Sequence, residues 1–325
     1  MARFRFAVGV FLSSALVGGA GAAAAQSFPQ KPIRIVAPYV PGGTVDAVAR
    51  MLAARFAAEF NQQVVVENRA GASGNIGSAA VAEAPPDGYT LLLNSSTLVT
   101  NPFVMKEKPP FDPLKDFTPL ALVASTPLVF VAGRNSGIDS VADFVRQAKA
   151  HPEKTNFGLG GYGSAGQMAM ESFNLRTGLS VPLVIYQGSA PALTDIVGGQ
   201  LTGMMDPVLT TQPFVASGRL KAIGVTGAKR TASLPGVPTL AEAGVPDINF
   251  VSWYGLWGPR GLPPAVAQRI QAAVGKALAL PESRQWLLKQ GMDAGTLTGD
   301  AFKAYVENET AKYLQVIKEA RIEAR

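Results

Sequence analysis

Residues Ile33 to Leu52, IRIVAPYVPGGTVDAVARML, constrain the fold most: a short apolar strand, a Pro-Gly-Gly turn and an amphipathic helix follow one another directly. The turn leaves the N–H groups of Gly42, Gly43 and the first helical turn without intrahelical partners, and the helix dipole adds partial positive charge there. Such a turn suits an anion. It equally suits a plain strand-to-helix connection that needs glycine. The Lys and Ser/Thr of a P-loop are missing, so nothing in this stretch holds a nucleotide with magnesium.

Strand and helix patterns then alternate. Ile33 to Tyr39 reads as a strand, with a helix to Phe60 carrying Val48, Met51, Leu52 and Phe56 on one face. Gln63 to Asn68 is a second strand, GASGNIG opens a helix through Glu83, and Tyr89 to Leu93 is a third strand leading to Asn94-Ser95-Ser96-Thr97. Thr118 to Ser125 and Leu128 to Ala132 are two apolar runs joined at Thr126-Pro127, the expected first crossing between domains. A second unit follows: a helix from the Ser140/Asp143 capping box, strands over Thr155 to Leu159, Val181 to Tyr186 and Leu201 to Met205, and helices over Gly166 to Thr177 and Ala190 to Val197. Leu220 to Thr226 returns to the first unit. Phe250 to Trp257 is strand-like, and two helices follow, one with Val266, Ile270, Val274 and Leu278 on a stripe, the other starting at Thr298. This order predicts an α/β fold with mainly parallel sheets covered on both faces.

The chain has 325 residues, enough for about two domains. With 47% hydrophobic and 16% charged residues it is globular. The net charge of +6 is made of scattered basic residues with no stripe, so no nucleic acid is expected as a partner. Zero cysteines exclude disulfides, a thiolate nucleophile and cysteine zinc sites, and the single histidine, His151, has no second histidine with which to hold a metal. Neither a metal nor a cofactor is expected.

Residues 1–25 read as a secretory signal peptide: Arg3 and Arg5, the apolar run FAVGVFLSSALV, then small residues before Gln26. Its removal lowers the net charge from +6 to +4. Nothing later resembles a transmembrane segment, because the most apolar of the long uncharged runs, Phe117 to Gly133, contains Pro119 and Pro127.

Gly161-x-Gly163-x-x-Gly166 follows a strand and opens a helix, as a dinucleotide fingerprint should. The next strand, however, ends at Ile185-Tyr186-Gln187 without the ribose-binding acid. An NAD(P)-linked oxidoreductase using Gly161 to Gly166 is the alternative reading. The other is a second anion-holding turn, with Ser164 as helix cap and the N–H groups of Ala165 to Gln167 facing a cleft. Hydrolase chemistry lacks a base, since a serine would have to use His151 and none sits in a G-x-S-x-G elbow. Asp46 and Asp206, both near strand ends, fit ligand gripping across a cleft as readily as acid–base work.

With these pieces placed, the chain resembles the Bug family of extracytoplasmic solute receptors, the substrate-binding proteins of tripartite tricarboxylate transporters. The carriers are KPIRIVAPYVPGGTVD, VVVENRAGASGNIG, PPDGYTLLL, FDPLKDFTPLALVAS, YQGSAPALTDIVGGQ, KAIGVTGAKR, LPGVPTLAEAGVP and WYGLWGPRG, running from about Pro29 to near the C-terminus. The resemblance implies a monomeric, noncatalytic periplasmic receptor of the type II, Venus-flytrap form. Two doubly wound α/β domains would enclose a central cleft for a small carboxylated solute, passed on to membrane permease subunits. The expected division is 26–124 plus 226–325 for domain 1 and 125–225 for domain 2.

Carried over by position, the resemblance implies a wall of Tyr39, Pro41, Gly42, Gly43, Thr44 and Asp46 beside Ser95 and Ser96. Ser164, Ala165, Gly166, Gln167, Tyr186, Gln187 and Asp206 would complete the pocket from the second domain. Relatives commonly read G-S-x-x-H where this chain has Gly163-Ser164-Ala165-Gly166-Gln167, and P-Y-K-G where it has Ile185-Tyr186-Gln187-Gly188. The first turn reads PGGTVD where PGGGTD is more frequent. These departures bear on which ligand is held.

Overall fold

The structure, a computed structural model, describes residues 28–186 and 188–324. The leader expected over residues 1–25 and the site residue Gln187 lie outside the described residues. In chain order, β1 (Ile33–Ala37) leads to α1 (Thr44–Phe60), β2 (Val64–Asn68), α2 (Asn75–Ala82), β3 (Thr90–Ser95) and α3 (Thr97–Val104). The 17-residue β4 (Phe117–Gly133) leaves this unit. The second unit holds α4 (Val141–Ala150), β5 (Phe157–Leu159), α5 (Ala165–Thr177), β6 (Leu183–Ile185), α6 (Ser189–Val197), β7 (Gly203–Pro207), α7 (Val208–Ala216) and β8 (Leu220–Val225). Then come β9 (Val251–Pro259), α8 (Pro264–Ala279), α9 (Pro281–Lys289), β10 (Asp293–Ala294) and α10 (Gly299–Glu319).

The strands pair in the order β2-β1-β3-β9-β4-β7-β5-β6, with β8 and β10 also on β4. β1 runs parallel to β2 and β3, and β5 runs parallel to β6 and β7, as strand–helix–strand units require. The sheets are nevertheless mixed. β9 re-enters the first sheet from the second unit and runs antiparallel to both β3 and β4, and β4 is antiparallel to β7 and β8.

β4 also corrects the expectation of two separate runs: it is one strand belonging to two sheets. Residues Phe117 to Pro127 pair with β9, and Leu128 onward pairs with β7. Pro127 lacks an N–H, and it stands where the strand changes partners, a place that can lose a ladder hydrogen bond. Threonines secure the junction. Thr126 Oγ1 donates to the Gly291 carbonyl at 2.7 Å, while Thr226 accepts from the Leu128 N–H at 2.9 Å and donates to the Phe250 carbonyl.

One buried cluster runs through both lobes, and each lobe adds packing around its own turn. In the first, α1 buries Val48, Leu52 and Phe56 with Ile33 and Ile35 of β1 and Ile270 and Val274 of α8. In the second, the Phe130 ring meets Phe144, Phe157 and Phe173 edge-on at centroid distances of 4.8, 5.5 and 5.5 Å. Burying each such side chain contributes about 1.5–3 kcal/mol, which suffices to hold each glycine turn on a rigid base. α3 and α7, unanticipated from the sequence, lie along the gap between the lobes.

Candidate functional site

The first turn is held by Asp46. Its Oδ2 accepts from the Gly42 N–H at 3.0 Å and from Arg50 Nε at 3.0 Å, and its Oδ1 accepts from Asn68 Nδ2 at 2.9 Å. Asn68 Nδ2 also donates to the Tyr39 carbonyl at 3.1 Å, which ties the strand end to the helix start. Burial raises the Asp46 pKa, but the bonds from Arg50, Gly42 and Asn68 and the Arg50 charge outweigh it and hold the carboxyl below its ordinary value. Asp46 thus shapes the turn. The Gly42 amide expected to face a ligand is taken by Asp46, and Gly42 needs its φ of +89° to deliver it. The amides left for an anion are those ahead of the first intrahelical bond, Ala47 N–H to the Gly43 carbonyl: Gly43, Thr44, Val45 and Asp46. Pro41 and Gly42 are exposed, and Thr44 is buried.

Beside this turn, the end of β3 forms a hydroxyl cluster. The Tyr39 hydroxyl bonds with that of Thr97 and reaches Asn94 Oδ1 at 3.3 Å, while the Ser95 and Thr97 hydroxyls lie 3.1 Å apart. Ser95 shares the cluster. Ser96 does not: it is 1% exposed, and its side chain lies against the Tyr313 hydroxyl of α10, on the core side.

The second turn repeats the logic of the first. The Gly163 N–H donates to Gln167 Oε1 at 2.9 Å, four residues on, as Gly42 does to Asp46. Ser164 caps α5 as expected, accepting from the Gln167 N–H at 3.2 Å. Gln167 is therefore a backbone clamp, buried within the turn. The amides of Ala165 and Gly166 remain ahead of the first intrahelical bond, Met168 N–H to the Ser164 carbonyl.

Of the other second-lobe residues, Tyr186 turns toward α6, its hydroxyl donating to Asp195 Oδ2 at 2.5 Å. That bond, with burial adding to it, raises the tyrosine pKa. Asp206, at the end of β7, is 7% exposed. Its Oδ1 accepts from Ser189 Oγ at 2.9 Å and its Oδ2 from the Thr210 hydroxyl. Burial pushes its pKa up to about 6 against the pull of these two hydroxyls.

Tyr254 of β9 stands in the first lobe within electrostatic reach of the second. It pairs in register with Ser95, and its hydroxyl lies against those of Ser252 and Thr44. Burial raises its pKa, and the nearby Asp206 and Tyr39 raise it further. The first turn and Asp206 therefore both lie near the same tyrosine. Sequence reasoning missed Tyr254, Thr97, Ser189 and Thr210. Ser189 and Tyr254 were visible as polar residues within YQGSAPAL and WYGLWG; α3 and α7, which carry Thr97 and Thr210, gave no periodic signal.

A separate surface hollow of about 600 Å³ lies between α5, the segment before β6 and residues 320–323. Leu175, Leu179, Leu183 and Ile322 line it together with Tyr162 and Gln167 of the second turn, whereas neither Asp206 nor the first turn reaches it, so the polar residues facing each other between the lobes are the candidate site. No group of three or more His, Cys, Asp or Glu able to hold a metal occurs among the described residues.

The fold and this gap define a two-lobe, Venus-flytrap solute-binding protein. The chain belongs to the tripartite tricarboxylate transporter receptors, whose family model, described as "Tripartite tricarboxylate transporter family receptor", matches residues 48–322. BugT of Bordetella pertussis is 32% identical over 98% of both chains. A protein of R. palustris solved with adipate is 32% identical with a TM-score of 0.88, covering 92% of this chain and all of that one. MatC of Rhodopseudomonas palustris, solved with bound malate, is 29% identical with a TM-score of 0.83, covering 89% of this chain and all of that one. The family is one of receptors, so this chain is not an enzyme, which sets aside the oxidoreductase reading of Gly161 to Gly166.

Proposed function

We propose that the chain is a periplasmic receptor that captures a small carboxylated solute between its lobes and passes it to the permease of a tripartite tricarboxylate-type transporter. The observation that carries the reading is Tyr254, whose hydroxyl touches Thr44 of the first-lobe turn and lies within electrostatic reach of Asp206 in the second. The free amides of Gly43, Thr44, Val45 and Asp46 offer one carboxylate a site at the N-terminus of α1, with the Ser95 and Thr97 hydroxyls alongside. Ala165, Gly166 and Asp206 act from the other side, and closure reports occupancy to the partner. The adipate and malate of the two R. palustris relatives support this ligand class. The division of the lobes at 124/125 and 225/226 is supported by the change of sheets at Pro127–Leu128 and by β8 ending at Val225. Among the described residues no helix is long and apolar enough to cross a membrane.

A thermal-shift screen tests the reading. A ligand at roughly 100 times its Kd adds about 2.7 kcal/mol to folded-state stability. Adipate or malate should therefore raise the melting temperature by several degrees while NAD and NADP leave it unmoved. Stabilisation by dinucleotides alone would overturn it.

A further inference from the structure

We propose that Asp206 is the specificity-determining residue of the cleft and that it engages a ligand carboxylate as a protonated acid, so that binding takes up one proton from solvent. This rests on the receptor reading above and extends it to the chemical form in which the ligand is held.

The geometry around Asp206 carries the inference. The carboxyl closes the end of β7 at 7% exposure, and its two hydrogen-bond partners are neutral: Ser189 of α6 at 2.9 Å and Thr210 of α7. β4 places apolar Val129 beside it in register. β9 faces it with Tyr254, a phenol whose own pKa is raised. Two other carboxylates of the expected site region have partners of their own, Asp195 with Tyr186 and Asp46 with Arg50. Among the described residues no cation is a hydrogen-bond or ion-pair partner of Asp206.

A buried carboxyl with hydroxyl partners and no counter-charge favours its neutral form, in line with the upward displacement described above. A ligand carboxylate entering the same gap adds a second negative charge. Two carboxylates in one desolvated site hold a proton between them. The step is balanced: the Asp206 carboxylate gains H⁺ from solvent and its O–H then donates to the ligand carboxylate, with no other bond made or broken. Protonation converts the Asp206 carboxyl from a repulsive acceptor into a donor. An acid is thereby admitted beside a carboxyl that, among the described residues, no arginine or lysine pairs with.

The test is titration calorimetry with adipate as probe, from about pH 6.5, above the probe's own ionisations, to about pH 8.5, in buffers of different ionisation enthalpy. Wild type should take up close to one proton per adipate near neutrality, and its affinity should fall at least about tenfold across that range. Asp206→Asn should bind without proton uptake and with nearly level affinity. Wild-type binding without proton uptake overturns the proposal and leaves the receptor reading standing. So does flat wild-type affinity combined with loss of binding in Asp206→Asn, which would make the residue an ionised acceptor. Should neither adipate nor malate bind wild type at any pH, the receptor reading fails and this inference with it. The wild-type proton count does not depend on how the variant folds.

Discussion

The hydroxyl of Thr100 donates to the carbonyl of Gly163 across 2.6 Å, and the two residues come from different lobes. Thr100 lies one turn into α3, and Gly163 occupies the second glycine turn with φ of +67°. Next to it, Asn101 Nδ2 is fixed by the Ser73 carbonyl and Asn75 Oδ1, leaving Asn101 Oδ1 buried without a partner. The seam is therefore selective, because it exists only while the lobes meet here. Thr100→Val keeps the shape and strips the donor, leaving a buried carbonyl unsatisfied at about 1–3 kcal/mol in the apposed arrangement, where separated lobes would let water reach it. Adipate affinity should drop roughly 5- to 100-fold in calorimetry, with the unliganded melting temperature changing much less. Equal affinity in the variant would show that this contact plays no part in holding the lobes together.

Asp46 predicts an acid-sensitive first turn. Its folded pKa lies below the unfolded one, so its contribution to stability is complete above the ordinary aspartate value of about 3.9 and fades as pH falls through the lower folded value. Asp46→Asn removes the charge paired with Arg50 and weakens the bond to the Gly42 amide. Denaturant unfolding at neutral pH should show a loss of about 1–3 kcal/mol, and the gap between variant and wild type should narrow in acid. A constant gap down to about pH 2.5 would mean that the carboxylate's charge is not what holds the turn.

Gly43 separates a structural glycine from a ligand-facing one. Its φ is −83°, and an added Cβ would have the Val40 carbonyl 4.0 Å away as its nearest neighbour, so the fold alone has room for alanine. Gly42 differs, with φ of +89°. Gly43→Ala should cost at most about 1 kcal/mol of stability as a poorer helix cap, yet weaken carboxylate binding by an order of magnitude or more because the methyl occupies the approach to the Thr44 and Val45 amides. Normal binding by a normally folded variant would remove the first turn from the site.

Much of this was legible because the two turns are local. Pro-Gly-Gly before an amphipathic helix, and Ser164 three residues before Gln167, announce strand–turn–helix geometry within a dozen residues. The sequence did not disclose which of those polar groups already serve the backbone. Asp46 and Gln167 read as pocket residues, and each turns out to hold the glycine four positions before it, a pairing visible only once φ at the glycine is known. α3 was hidden for another reason. TLVTNPFV is rich in β-branched residues and contains Pro102, so its helix depends on the burial of Leu98, Val99 and Val104 and not on propensity. Tyr254 was invisible as a site residue since a tyrosine inside an apolar strand reads as core until the second lobe brings Asp206 near it.

Asp206 makes one further prediction, independent of any ligand. A carboxyl whose pKa rises from 3.8 to about 6 on folding opposes the folded state whenever it is ionised. The penalty is absent below about pH 3.9, grows as pH climbs toward 6, and above that stays near its full size, roughly 3 kcal/mol at 1.36 kcal/mol per pKa unit. Asp206→Asn keeps an acceptor for Ser189 or Thr210 and removes the charge, so the unliganded variant should be more stable than wild type by about 1–3 kcal/mol at pH 8 and lose that advantage near pH 4. A group kept in place at a stability cost of this size is the pattern expected of a binding residue, since replacing it by a neutral isostere would otherwise be an improvement. Chemical denaturation of both proteins at the two pH values decides the matter: an asparagine variant less stable than wild type at pH 8 would mean that the carboxylate is held by partners strong enough to offset its burial, and that Asp206 belongs to the scaffold of the second lobe.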